Sequence, residues 1–183
     1  MRKVTFGCAN SLDNYIARPD GSVDWLLWGR EAAQVMREYW KTIDTIVMGR
    51  KTYEISLKLG EGGADPYAGM KTYVFSRTLK KSQHGTVEII SADAAEFVRD
   101  LKKQKGKDIC MMGGGLLAKS LFEAHLIDEI SFNIHPVLLG SGIPLFHEMK
   151  DQTDLELILG KPFKNGCVLV SYRVKSSKKH RGR

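Results

Sequence analysis

Ile109-Cys110-Met111-Met112-Gly113-Gly114-Gly115-Leu116-Leu117-Ala118-Lys119-Ser120-Leu121-Phe122 is the stretch around which this 183-residue chain is organised. The apolar run from Ile109 to Met112 is too short for a helix and suits a core strand. Leu117, Leu121 and Ala124 then recur at helical spacing, with Leu116 and Phe122 at the shoulder. Between strand and helix stand three glycines. Bare backbone lets a ligand approach the main chain, and the next helix offers free N–H groups and the positive end of its dipole. Such a turn suits an anion, most often a phosphate. It suits equally a tight packing turn that holds nothing. The spacing is neither GxGxxG nor GxxxxGK[ST].

Two further strand ends shift the balance toward a ligand. Thr45-Ile46-Val47-Met48-Gly49 reads as a short buried strand, and Arg50-Lys51-Thr52-Tyr53-Glu54 opens a helix. Two cations at a helix start oppose the helix dipole, so an anion is expected beside them. Thr72 to Phe75 is another strand, ending at Ser76-Arg77-Thr78, a cation between hydroxyls. In open α/β sheets, ligands bind beyond the carboxyl ends of strands. Three such ends point to one cleft for an extended, phosphate-bearing cofactor.

The remaining segments set the fold class. Val4 to Ser11 reads as a strand whose residues after Phe6 are small, which suits close approach by a flat ligand. Pro19-Asp20-Gly21 is a turn, and Val23 to Trp28 is apolar with one acid, Asp24. Glu31 to Ile43 has helical spacing of Ala32, Val35, Met36, Tyr39, Trp40 and Ile43. Gly60 to Gly69, with Pro66, is a loop, and Val87 to Ile90 a strand. Asp93 and Glu96 form a capping box for a helix with Phe97, Val98 and Leu101 on its buried stripe and a basic end from Lys102 to Lys107. Ile130 to His135 reads as a strand and Pro136 to Phe146 as an apolar loop. Leu155–Leu159 and Cys167–Val174 are closing strands joined near Lys164-Asn165-Gly166, a hairpin signal. Strands alternating with helices and then ending in strands predict an α/β sheet, parallel in its body, with an antiparallel C-terminal edge. Residues 1–174 form a single domain, and 175–183 a basic tail.

Composition excludes several classes. A chain that is 43% hydrophobic and 9% aromatic is ordinary for a globular protein. Cys8, Cys110 and Cys167 lie far apart, and the histidines are scattered, so neither disulfides nor a metal site is expected. A reducing, cytoplasmic compartment fits that usage. No apolar run approaches the ~18 residues of a membrane span, and polar Asn10 and Asp13 come too early for a secretory leader. The net charge is +7, but Lys175, Lys178, Lys179, Arg181 and Arg183 supply most of it. That short tail has no aromatic residue and reads as a solvated terminus rather than a nucleic-acid contact.

SLDNYIA (11–17), TIVMGRKTYE (45–54), TYVFSRT (72–78), ICMMGGGLLAKSLFEAHLIDEI (109–130) and PVLLGSGIPLF (136–146) together resemble the dihydrofolate reductase superfamily. The nearest branch is the C-terminal reductase domain of the riboflavin-biosynthesis protein RibD. The resemblance implies a three-layer fold with a mixed sheet of about eight strands and flanking helices. It implies NADPH as cofactor and a homodimer joined through the closing strands. By position, Ala9 and Ile16 line the nicotinamide, and Gly49, Arg50, Lys51 and Thr52 meet the phosphates. Ser76, Arg77 and Thr78 meet the 2′-phosphate, and Gly113, Gly114, Gly115, Leu116 and Leu117 the pyrophosphate. It also implies a cis peptide at Gly113–Gly114.

The substrate half departs from both relatives. Where folate reductases carry a pterin-anchoring carboxylate this chain has Ala33, and Met70 and Ala118 replace the folate-clamping arginine and a tyrosine. Gly7 and Met112 stand where RibD-type reductases have a lysine and a glutamate. The expected activity is NADPH-dependent reduction of a small metabolite, like the 5-amino-6-(5-phosphoribosylamino)uracil reductase of riboflavin biosynthesis. True dihydrofolate reduction and a non-catalytic NADPH-binding protein are the alternatives. Asp24 and Glu31 are the acidic candidates for proton donor, beside Tyr53 and water. Trp25, Trp28 and Tyr53 are the candidate substrate contacts.

Overall fold

The computed structural model describes residues 1–59 and 67–175. Most of the Gly60–Gly69 loop, and the tail beyond Lys175, lie outside the described residues. In chain order the strands are β1 (Val4–Ser11), β2 (Tyr15–Ala17), β3 (Ile43–Gly49), β4 (Lys71–Phe75), β5 (Val87–Ile90), β6 (Asp108–Met112), β7 (Glu129–His135), β8 (Ile143–Pro144), β9 (Leu155–Pro162) and β10 (Val168–Val174). The helices are α1 (Arg30–Trp40), α2 (Arg50–Leu59), α3 (Ala94–Lys103) and α4 (Gly115–Glu123).

Eight strands form one sheet in the order β5-β4-β3-β6-β1-β7-β10-β9. Pairing is parallel from β5 across to β7. β10 runs antiparallel to both β7 and β9, so the expected antiparallel edge is present. Alternate residues of each strand feed the two faces. Phe6, Val47, Met111 and Phe132 pack with Val98 and Leu101 of α3 and Leu121 and Phe122 of α4. Ile46, Met48 and Cys110 face the other way, with Tyr53 of α2 and Tyr39 and Trp40 of α1.

Three segments differ from the sequence reading. α1 ends at Trp40, and Ile43 starts β3 instead of closing the helix stripe. No α1 residue is buried, and Met36 is 41% exposed. The helix packs on the core through Ala32, Val35, Tyr39 and Trp40. Lys102 is not a solvated end charge. It is buried, and its ammonium donates to the Leu126 carbonyl and pairs with Asp128. Within 136–146, Ile143 and Pro144 pair with β2.

Asp13 holds that segment against the end of β1. Its carboxylate accepts from Ser11 Oγ at 2.6 Å and from the N–H groups of Leu139 at 3.1 Å and Gly140 at 2.7 Å. The Ser11 bond, then the two backbone donors, hold the carboxyl below its ordinary pKa. A depressed carboxyl contributes stability that is complete above the unfolded pKa, about 3.9, and is lost as pH falls through the lower folded value. Asp13→Asn is therefore expected to lower Tm at neutral pH. The gap to wild type should narrow in melts taken below about pH 4. A gap of constant size down the acid limb would contradict this role.

Candidate functional site

β4, β3 and β6 are neighbours in the sheet, so the three junctions after them lie side by side along one edge. The β6 junction is the tightest. Gly113 and Gly115 have φ of +91° and +66°, conformations that favour glycine. A Cβ on Gly113 would fall 2.1 Å from Thr52 Oγ1, and one on Gly114 would fall 2.9 Å from Ile16 Cδ1. The turn therefore presses its backbone against α2 and against β2. No peptide bond among the described residues is cis. The cis bond expected at Gly113–Gly114 is trans, and the positive φ values at Gly113 and Gly115 provide the reversal instead.

α4 begins at Gly115 with Gly114 as N-cap, no capping side chain and no acid in its first turn. The contrast with α3 is informative. There Asp93 caps the helix by accepting from the Glu96 N–H at 2.9 Å. The Gly115 N–H is taken by the Leu145 carbonyl at 3.2 Å. Leu116, the next residue, is solvent-exposed, and no side chain caps the helix start by a hydrogen bond. A helix start of this kind offers N–H groups and positive potential to an anion.

The other two junctions supply cations and open space. A Cβ on Gly49 would meet nothing within 4 Å. Lys51 is exposed and makes no ion pair among the described residues, whereas Arg50 is paired at 2.7 Å with Glu54, one helical turn on. Arg50 is thus neutralised by its own helix, which weakens the argument that both cations await a ligand. Ser76 Oγ accepts from the N–H groups of Thr78 and Leu79 at 3.2 and 2.9 Å and shapes the turn after β4. Arg77 on that turn is exposed and unpaired among the described residues. Glycine backbone, a bare helix start, Lys51 and Arg77 fit a ligand with separated phosphate groups. Ala9, half-buried near the end of β1, and Ile16 provide the small and apolar surfaces at its far end.

The acidic and aromatic candidates do not converge on one point. Asp24 is bonded to Arg18 at 2.6 Å, and that bond holds its carboxyl below the ordinary range. Glu31 accepts from the Lys164 N–H at 2.8 Å, in a recess lined by Arg30, Phe163 and Asn165. Trp28 is 82% exposed, whereas Tyr53 is a core residue whose hydroxyl accepts from the Gln83 N–H at 3.1 Å. Trp25 is buried, its indole edge-on to His135 with centroids 5.2 Å apart. One neighbour of the glycine turn escaped the sequence reading. The His147 ring stands 3.0 Å from where a Gly115 Cβ would be. Only the docking of the 136–146 segment brings it there, and no spacing signals it.

The chain matches the RibD C-terminal domain over residues 2–169 and belongs to that family. It is 38% identical over 163 residues to the protein YwjB of Bacillus subtilis (strain 168), covering 88% of this chain and 92% of that one. Among solved structures, a putative riboflavin biosynthesis protein from Shewanella sp. PV-4 matches with a TM-score of 0.82 at 26% identity, over 96% of this chain and 100% of that one. A dihydrofolate reductase from Enterococcus faecalis, complexed with NADP(H), shares the fold with a TM-score of 0.64 at 20% identity, over 95% and 97% of the two chains.

Gly113→Ala tests the tightness of the turn. It is expected to destabilise the protein by roughly 2 kcal/mol or more, through both the positive φ and the collision with Thr52. Adding Thr52→Ala should recover part of that loss, since it removes the collision and leaves the φ penalty. Urea unfolding of the single and double variants checks this, and a neutral Gly113→Ala would contradict it.

Proposed function

We propose that this chain is an NADPH-dependent reductase of a small metabolite, working in the manner of RibD-type reductases. The observation that carries the reading is the adjacency of the three ligand-ready junctions after β4, β3 and β6. In this reading Gly113 to Leu117 hold the pyrophosphate, with Gly49, Lys51 and Thr52 beside it. Ser76, Arg77 and Thr78 hold the 2′-phosphate. Arg77 then selects the phosphorylated cofactor, because a guanidinium matches a phosphate in both charge and shape. A bound reduced nicotinamide supplies the hydride. Ala9 and Ile16 shield the ring from water and set its distance from the substrate. Asp24 is ionised and paired with Arg18, and Glu31 is turned to the Lys164 backbone. We therefore assign protonation to water at the cleft mouth. Met70 and Ala118 leave a folate without its carboxylate clamp and ring contact, so folate reduction is the less favoured reading.

Titrating the protein into NADPH and following cofactor fluorescence tests the cofactor site. Arg77→Ala should weaken NADPH binding by about tenfold or more and leave NADH binding nearly unchanged. Equal loss for both cofactors, or no loss, would refute the assignment of Arg77. NADPH oxidation across a panel of cyclic imines and phosphorylated sugars then separates an enzyme from a binding protein.

We also propose a homodimer built on β9. This strand is one of the two sheet edges, all its residues are exposed, and Leu157 is 61% exposed with Ile158 and Leu159 beside it. An unpaired apolar edge is a template for a second strand. Leu157→Glu is expected to turn a dimer into a monomer in light scattering coupled to size exclusion. A wild-type monomer at micromolar concentration would count against the dimer.

A further inference from the structure

After β8 the chain crosses the start of α4 and is fastened there on both sides of one residue, His147. Before it, Leu145 is fully buried. The Leu145 N–H donates to the Asn14 carbonyl at 2.8 Å, and the Leu145 carbonyl accepts from the Gly115 N–H at 3.2 Å. Phe146 lays its ring against Phe6, Phe122 and Phe132, with centroids 6.0, 6.2 and 5.8 Å apart. After it, the Glu148 carbonyl accepts from the Lys119 ammonium of α4, and Met149 packs on the core. Its apolar neighbours turn inward, and His147 is left exposed at the surface.

The ring stands against the glycine turn. Its Nε2 and Cδ2 lie 3.0 and 3.3 Å from the point where a Gly115 Cβ would be. Gly115 is the first residue of α4, so the edge of the imidazole that carries Nε2 is held at the first turn of the helix. Neither ring nitrogen has a hydrogen-bond partner among the described residues. The segment around His147 is thus tethered to α4 while the ring itself has a free polar edge.

The charged groups on the surrounding segments are mostly engaged with one another. On α4, Lys119 pairs with Glu123 at 3.2 Å. On the turn after β1, Asp13 gives its carboxylate to Ser11, Leu139 and Gly140. On α2, whose Thr52 meets the same glycine turn, Arg50 pairs with Glu54, and Lys51 remains free among the described residues. In the segment itself, Glu148 is exposed and makes no ion pair among the described residues. A helix start is a positive end, so it disfavours a cation beside it, and an anion bound there reverses the preference.

We propose that His147 is a further cofactor-binding residue that takes up a proton as the dinucleotide binds, its imidazolium donating from Nε2 to the pyrophosphate seated on the start of α4. The proposal rests on the reductase reading for the presence of that dinucleotide. Histidine changes charge between about pH 5 and 8. The bound anion favours the protonated ring, so the contribution of His147 is complete at the acid end of that range and is lost as pH rises through it. Cofactor affinity then follows pH through a side chain that reaches the site only because residues 145–149 dock on α4.

Calorimetric titration of NADP+ into the full chain, at about pH 6 and about pH 8.5, tests this with wild type, His147→Gln and His147→Lys. The 2′-phosphate of the ligand titrates near pH 6 as well, but it does so equally for every variant. Ratios between proteins at one pH are therefore the readout. Wild type should bind about tenfold more tightly than His147→Gln at the lower pH and within about twofold of it at the higher. His147→Lys, charged at both, should keep its advantage over His147→Gln at both. A ratio of wild type to His147→Gln that is the same at the two pH values would overturn the assignment, and so would a Lys variant no tighter than the Gln variant. A wild type that binds no NADP+ at either pH would sink the reductase reading, and His147 with it, whereas intact binding with a flat ratio sinks His147 alone.

Discussion

Thr52 Oγ1 occupies the place where a side chain on Gly113 would begin. This contact joins the start of α2 to the turn between β6 and α4, two segments far apart in sequence. It fixes the spacing between two of the three strand ends that form the candidate site. Ile16 closes the same turn from the other side, against Gly114. The glycines are thus needed for packing. The packing role is seen in the structure, and the anion-binding role is the proposal that builds on it.

Sheet order does the rest of the positioning. Because β4, β3 and β6 are adjacent and parallel, every helix or turn that follows them starts at the same edge. α3 caps its own start with Asp93, whereas α1 starts on Gly29 without a side-chain cap. α4 has no such cap. An uncapped helix start can offer its remaining free N–H groups to a ligand.

Much of this was legible in the sequence because it depends on local periodicity. β1, β5, the Asp93–Glu96 box and the Asn165-Gly166 hairpin stand where spacing and turn chemistry put them. The features that escaped depend on partners distant along the chain. Arg50 looked like an unpaired cation until Glu54 proved to offset it. The helical stripe of α1 looked like core, yet none of its residues is buried and it packs through Ala32, Val35, Tyr39 and Trp40. Lys102 looked like an end charge, and Asp128 makes it a buried one. The Trp25–His135 contact needs strand register and loop docking, which no short-range signal encodes. The Gly113–Gly114 peptide, expected cis, is trans, with positive φ at Gly113 and Gly115.

The central claim is that one phosphate-bearing ligand spans the three strand ends. Hydrogen–deuterium exchange with and without NADPH tests it residue by residue. Slower exchange is predicted together at Gly49–Thr52, Ser76–Thr78 and Gly113–Leu117, with no change at the self-capped start of α3. Protection that misses Gly113–Leu117, or that appears instead at the start of α3, would contradict the account.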